Sequence, residues 1–425
     1  MALPQWPGDD VVREALRSLT LRGRAFLAGG ATAVLCGIVM GEHDLVRIGV
    51  LVVLLPLVTA AWVARSGNRL GLVRTLSARQ VETGQPARVQ LELTNLGPTT
   101  GVLMVEEQLP YSLGSRPRFV VDTMGQGWRR RIDYVVRSDV RGAYAIGPMR
   151  LRVGDPFGLI EVQRGFQQTS QLVVTPRVEP LPWISLRGVW TGSGDNRPRS
   201  FATGSAADVT VREYRLGDDL RRVHWRSTAR TGELMVRREE QPWQSRCTLF
   251  VDNRVRAHRG RGVSSSLETA VVATASIAVH LAAQGYQVRL VSATGEELGQ
   301  GWHDGGQAMD AQHLLERLAV LPAVEAGALL TEWVDDTVTS GMFIGVLGAF
   351  DDHDRAFFSR IHSPGGTPYA LVLDVAGWTS PRRPEPTAPA SETASRTGWL
   401  QAHGWKATPL GVRSPLATAW QELGR

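Results

Sequence analysis

The sequence predicts a multidomain chain of mixed α and β structure: an N-terminal transmembrane helical hairpin, a β-sandwich, and a doubly wound α/β domain. Three observations predict it. Two apolar stretches with hardly a charge, residues 25–40 and 45–64, follow one another near the N-terminus. Between residues 72 and 180 the pattern changes to strict alternation of apolar and polar residues. From Cys247 onward, short apolar runs alternate with helical patterns, the order that builds a parallel sheet. A length of 425 residues agrees, being too great for one ordinary core.

Bulk composition narrows the class further. A chain with 43% hydrophobic and 21% charged residues is globular. The net charge of +6 and pI near 9.9 raise nucleic acid as a partner. The cations are almost all arginine, with Lys406 the lone lysine, and they are dispersed instead of forming runs beside aromatics. No nucleic-acid partner is therefore expected. Two cysteines cannot build a disulfide framework; Cys36 and Cys247 sit in apolar runs and read as small hydrophobes of a reducing compartment.

The hairpin comes first. Residues 25–40 would cover roughly 24 Å and residues 45–64 roughly 30 Å as helix, against a hydrocarbon core of about 30 Å. The first span therefore reads as short, needing to recruit flanking residues or thin the bilayer, and residues 41–44 as a tight link. Arg47 can snorkel, and Pro56 is tolerable beside a second helix. Arg13, Arg17, Arg22 and Arg24 precede the pair, and Arg65, Arg69 and Arg74 follow it, while the link carries Glu42 and Asp44. The positive-inside bias then predicts an inner or plasma membrane protein with both termini and the soluble domains cytoplasmic.

Residues 72–180 alternate, with Val89, Leu91 and Leu93 on one face and Ile132, Tyr134 and Val136 on another. Turn signals at Gly84, Pro98, Gly125 and Gly147-Pro148 punctuate the run, so an immunoglobulin-like sandwich is expected. Tyr144 and Phe157 read as core fillers.

Residues 200–246 form a signature segment. Residues 209–215 alternate like a strand, Gly217 breaks it, and Asp218 is a natural cap for a helix reaching about Ala229, its core side made by Val223, Trp225 and Ala229. Arg222, Arg226 and Arg230 share one flank of that helix. Three readings stay open. The arginines anchor the segment to neighbouring acids, or they dock a partner's carboxylates, or His224 belongs to an anion or catalytic site.

In residues 247–425, a first strand at 247–251 ends in Asp252, and Ser265 with Glu268 caps a helix that Gly285 stops. Strands are expected at 287–291, 343–347 and 370–375, a helix at 312–318, a surface linker at 381–397, and a last strand and helix at 406–410 and 415–423. The sheet order places a crevice at the strand C-termini. No Gly-rich phosphate loop and no His-Glu-X-X-His stretch occurs in the sequence.

The signature residues Arg212, Tyr214, Gly217, Asp218, Arg221, Arg222, Trp225, Arg226 and Arg230 resemble those of the bacterial "domain of unknown function 58" family. Arg141-Gly142-Ala143-Tyr144, Gly147-Pro148 and the run from Asp155 to Leu159 extend the resemblance. It implies a membrane-anchored protein that works beside a MoxR-type AAA+ ATPase, in the assembly or maturation of other proteins. Asp252, a loop and a long helix resemble a von Willebrand factor type A domain, which implies a divalent ion held by an Asp-X-Ser-X-Ser motif. Here Arg254 and Arg256 occupy the two serine positions. A guanidinium has no lone pair to give a hard cation, so the expectation is a degenerate site with no metal and no cofactor, Arg254 or Arg256 standing where the ion would be. Asp351 and Asp352 are the later acids placed to help. The expected role is a non-enzymatic interaction or assembly factor, its partners the bilayer, through residues 25–64, and membrane-associated proteins. The alternatives are a hydrolase using His224, Asp218 and Asp252, and a metal-dependent adhesion domain.

Overall fold

The computed structural model describes residues 18–65, 70–100, 102–154, 157–186, 209–214, 223–239, 246–298, 311–334, 341–361, 367–378 and 389–425. The chain divides into two compact units, Met1–Arg177 with Leu315–Leu321, and Val178–Leu314 with Pro322–Arg425.

The first unit opens with helices α1 (Leu21–Met40) and α2 (His43–Arg65). Thr20 caps α1, its hydroxyl accepting from the Gly23 amide at 3.2 Å, and Gly41 ends it at φ +72°. The helix therefore starts four residues earlier than expected. Its 20 residues span about 30 Å, the short apolar run having recruited its four flanking residues as one of the two expected ways to match the bilayer. The helices pack closely because Gly30 and Gly37 lie at the crossing: a Cβ on Gly30 would stand 2.9 Å from the Gly49 carbonyl oxygen. Outward-facing side chains such as Leu35, Leu51 and Leu54 are exposed, as a lipid-facing surface would be. Pro56 lies inside α2, where the Thr59 hydroxyl donates to the Leu55 and Pro56 carbonyls. Both helices are long and apolar enough to cross a membrane.

The sandwich of this unit contains β1 (Leu70–Leu76), β2 (Gln80–Glu82), β3 (Pro86–Asn95), β4 (Leu103–Glu107), β5 (Arg118–Val121), β6 (Arg129–Arg137), β7 (Gly142–Ile146), β8 (Met149–Gly154), β9 (Glu161–Phe166) and β10 (Ser170–Thr175). Among the described residues they form sheets ordered β1-β3-β6, β5-β4-β8-β9 and β2-β10-β7. The predicted alternation sets the inner faces: Val89, Leu91 and Leu93 of β3 are wholly buried, and Tyr134 and Val136 of β6 join the same core. That core also encloses an ion pair, Arg74 Nη2 to Glu107 Oε1 at 2.6 Å, with neither side chain exposed. Tyr144 packs against the core as expected, whereas Phe157 does not: it is 59% exposed. Gly158 turns the backbone at φ +66°, and Leu159 and Ile160 take the buried places instead.

The second unit contains a hairpin of β11 (Val209–Glu213) and β12 (Met235–Glu239), paired antiparallel around helix α3 (Trp225–Thr231). Beyond it come β13 (Arg246–Val251), α4 (Ser266–Ala283), β14 (Gln287–Ser292), α5 (Ala311–Ala319), β15 (Met342–Leu347), α6 (Arg355–Arg360), β16 (Tyr369–Leu373), α7 (Pro389–Ala402), β17 (Lys406–Leu410) and α8 (Leu416–Leu423). Residues Leu315–Leu321 of this stretch group with the first unit.

The five strands β14-β13-β15-β16-β17 form one sheet in that order, every pair parallel. The order reverses at β13, so a crevice opens at its C-terminal end between β13 and β15. α4 is capped by Ser265 and buries Leu267, Val271, Ala275, Ala278 and Leu281, the face expected of it. It is apolar enough to cross a membrane, yet over half of it is buried within its own unit, so it serves as a core helix. His280 of α4 meets Trp420 of α8 edge-on, placing those two helices on one face. Phe350, Phe357, Phe358, Leu400 and Trp405 cover the other.

The expected linker at 381–397 is corrected in its second half, since α7 begins at Pro389. Small Ala, Ser and Thr residues let α7 lie close to its neighbours. Thr393 donates to Asp374 Oδ1 at 3.0 Å, Thr397 donates back to the Thr393 carbonyl, and Leu400 is wholly buried. Residues 381–388 lie outside the described residues.

Candidate functional site: an arginine–carboxylate knot at the end of the central strand

Asp252 follows β13 directly, its amide held by the Val346 carbonyl of β15 at 3.0 Å. The chain turns there through a short helical loop, residues 255–257, that crosses tightly over the end of β15. Gly348 permits this: a Cβ would stand 2.3 Å from the Ala257 carbonyl oxygen, and the next amide, Ala349, donates to that oxygen. Asn253 pins the loop by accepting from the Ala293 amide and donating to the Pro322 carbonyl at 2.7 Å.

Within this frame Arg254 points inward, with no exposed surface. Its Nε and Nη2 donate to the two oxygens of Asp252 at 2.8 Å each, a bidentate fork. Nη1 donates to Asp354 Oδ1 at 2.7 Å and to the Gly327 carbonyl at 3.2 Å. Arg256 adds an outer layer, its Nη2 donating to Asp354 Oδ2 at 3.0 Å and its Nη1 to Asp351 Oδ2 at 3.0 Å. Two guanidiniums thus meet three carboxylates, buried at Asp252 and Asp354 and half exposed at Asp351. Burial alone would lower the Arg254 pKa, but hydrogen bonds and charge from Asp252 and Asp354 outweigh it and raise it. At Asp351 slight burial pushes the pKa up, and Arg256 with the His353 amide brings it below the ordinary carboxylate value.

A histidine lies beneath the knot. His258 Nε2 is 2.5 Å from the Asp252 carbonyl oxygen, so that nitrogen carries the proton, and Nδ1 pairs with Ser266 Oγ at 3.0 Å. Burial lowers the His258 pKa and keeps the ring neutral. The knot therefore holds a cation of its own at the strand end, and its inner acceptor oxygens are engaged. Among the described residues, no group of three His, Cys, Asp or Glu side chains is placed to hold a metal ion.

Sequence reasoning placed Asp252, Arg254, Arg256 and Asp351 here and missed Asp354, Asn253 and His258. Asp352, named as a helper, faces outward to Arg355 at 2.7 Å. Asp354 is the buried acid because Asp351 caps the short helix 352–354, and the three-residue step carries Asp354 back under the cap, its Oδ2 accepting from the Asp351 amide. The repeat of acids in Asp351-Asp352-His353-Asp354 carried that signal.

The signature residues are more dispersed. Arg212 lies on β11 opposite Val236, and the Tyr214 amide donates to the Leu234 carbonyl. Gly217, Asp218, Arg221 and Arg222 lie outside the described residues. The expected helix is corrected within the described residues: Val223 bridges Val236 and the His224 amide donates to the Met235 carbonyl, so neither is helical and α3 starts at Trp225. His224 caps α3, with Nδ1 at 2.8 Å from Ser227 Oγ. Trp225 is 70% exposed and Ala229 is exposed too, so neither faces a core as expected; Arg226 and Arg230 are exposed with them.

Residues 210–330 match the family model described as "Protein of unknown function DUF58". The matched stretch takes in both the β11–β12 hairpin and the strand that ends in the knot. The chain is similar to "Uncharacterized protein YeaD" of Bacillus subtilis (strain 168), 26% identical over 254 residues that make up 58% of this chain and 61% of that protein. The match thus spans about three fifths of that relative's length. Among solved structures, the CARDB domain of a Pyrococcus furiosus protein in complex with di-metal ions is 14% identical, covering 26% of this chain and 94% of that one at a TM-score of 0.20. The sporulation control protein Spo0M of Bacillus subtilis is 9% identical, covering 25% of this chain and 49% of its own at 0.16. At these scores the structural likenesses carry no weight for the fold or the function.

Proposed function

We propose that this chain is a membrane-anchored, non-enzymatic interaction factor whose α/β unit is built like a von Willebrand factor type A domain with an internal arginine in place of a metal ion. One observation carries the reading: Arg254 is wholly buried at the end of the strand where the sheet order reverses, chelated by Asp252 and Asp354. A divalent ion there would have to displace a guanidinium whose attraction to both carboxylates is already satisfied. The hydrolase reading needs Asp252 and His224 free for substrate. Instead Arg254 engages both Asp252 oxygens, and His224 caps its own helix.

The partner is a MoxR-type AAA+ ATPase, which the DUF58 resemblance implies, and the hairpin holds the encounter at the membrane with the soluble units on the cytoplasmic side. Exposed Trp225, Arg226 and Arg230 on α3 offer an aromatic and two guanidiniums, the side chains most often used as interface anchors for acidic partners. The test is capture from native membranes with the full chain and with Arg226→Ala/Arg230→Ala, two exposed positions whose change leaves the fold intact. Loss of a captured AAA+ ATPase from the variant is the expected result. Capture undiminished by the variant removes α3 as the docking surface, and capture of no AAA+ ATPase by either removes the partner.

A further inference from the structure

The exposed Phe157 breaks the expectation of a core residue, and its neighbours in the chain fix which part of the fold it lies beside. The residues around it form a tight joint with the start of the helical hairpin. The Thr20 amide donates to the Leu159 carbonyl at 2.9 Å, and the Thr20 hydroxyl donates to the Gly158 carbonyl at 2.7 Å. Leu19 bridges Ile160 in antiparallel fashion, and the Glu161 amide donates to the Ser18 carbonyl. Gly23 of α1 is pressed against the same loop: a Cβ there would stand 2.3 Å from the Leu159 carbonyl oxygen. Leu159 and Ile160 are buried with Leu19 and packed by Leu27, Leu55 and Ala60, side chains of both helices of the hairpin.

Phe157 sits one residue before this joint, so its Cα lies about 3.8 Å from that of Gly158, whose carbonyl is bonded to the residue that caps α1. The first turn of α1 carries Arg22 and Arg24 and opens the apolar run, which places it at the headgroup level of a spanned bilayer. Leu21 in that turn is 85% exposed, and Arg22 lies beside Gly158, its Nη1 3.7 Å from where a Cβ would be. The exposed part of a phenylalanine ring at that level gains more from lipid than from water.

We propose that residues 157–160 form a membrane-surface wedge, Phe157 entering the boundary between headgroups and acyl chains beside α1 while Leu159 and Ile160 lock the sandwich to the hairpin. The wedge rests on the hairpin being a membrane anchor and adds a third lipid contact, this one on the sandwich. With two helices alone the sandwich could swivel about its link to α2; the joint and the wedge together fix its tilt relative to the bilayer.

Site-directed spin labelling of the full chain in phosphatidylcholine–phosphatidylglycerol nanodiscs tests this. Cys247 is buried and unreactive, and Cys36 is exposed on α1, so a nitroxide on native Cys36 reports the hairpin. A second nitroxide goes on Phe157→Cys in a Cys36→Ala background, and a third on Tyr111→Cys, a 98% exposed position of the sandwich, as the water-side reference. The oxygen-to-nickel collision ratio should be several-fold higher at 157 than at 111, and high at Cys36. A ratio at 157 equal to that at 111, with Cys36 lipid-immersed, overturns the wedge and leaves the anchor standing. Free access of the nickel complex to Cys36 overturns the anchor, and the wedge with it.

Discussion

Replacing Arg254 with methionine should cost this protein more than any single change at its surface. Methionine fills a similar volume but supplies no donors, so Asp252 loses its bidentate partner and Asp354 loses its shortest hydrogen bond. Both carboxylates stay in a place with 1% or less of their surface exposed. Removing one member of a buried ion pair costs about 3–5 kcal/mol, and in a unit of roughly 150–250 residues each kcal/mol moves the melting temperature by about 2–4 °C. The expected drop is therefore roughly 6–20 °C in the unfolding step of the α/β unit. Scanning calorimetry of the full chain in nanodiscs reads it, and hydrogen exchange at the amides of β13 and β15 assigns the step. The triple variant Asp252→Asn/Arg254→Met/Asp354→Asn should recover most of the loss, because no charge is then left uncompensated. A drop below about 2 °C for Arg254→Met, or a triple variant less stable than the single one, would refute the view that the guanidinium neutralises these carboxylates.

Three further outcomes follow from the same geometry. His258 is held neutral by burial, its folded pKa below the ordinary 6.5, so the unfolded chain binds the proton more readily. Its contribution is full above about pH 6.5 and fades as pH falls from there through the depressed folded value. His258→Gln should flatten that acid limb of a stability-against-pH curve, and an unchanged limb would assign it to other groups. Arg74→Met should destabilise the sandwich by about 3–5 kcal/mol in chemical denaturation, since Glu107, whose pKa burial already raises, would be left alone in the core; a cost under 1 kcal/mol would speak against an intact buried pair. Gly30→Leu should force α1 and α2 apart, because even a Cβ would meet the Gly49 carbonyl oxygen at 2.9 Å. A nitroxide pair across the hairpin should report the widening.

Where a single period governs a segment, the sequence was enough. The apolar hairpin, the alternating strands β3 and β6, the capped helix α4 and the parallel strand sequence are each set by one dominant pattern, and each is found close to where it was expected. The departures share a cause, which is that contacts distant in sequence overrode local composition. Pro389 to Ala402 carries few apolar residues and reads as a linker, yet Thr393 and Thr397 satisfy their hydroxyls against Asp374 and the helix backbone, and the small residues pack closely. The single helix expected to run through to Ala229 is interrupted at Val223 and His224, because β12 captures Val223 and the His224 amide. At the candidate site, pairing of Asp252 with a following arginine could be read from two residues of separation. Asp354 meets Arg254 across 100 positions, and its three-residue spacing from Asp351 marks a capping partner without pointing to that distant guanidinium.

The central claim is that Arg254 occupies the place of a cation, and calorimetric titration of the full chain with magnesium and manganese tests it most directly. No saturable uptake of either ion is expected at the end of β13, in the parent chain or in Asp252→Ala. Tight uptake by the parent chain that disappears in Asp252→Ala would contradict it, because the carboxylate would then be serving a metal and not the guanidinium.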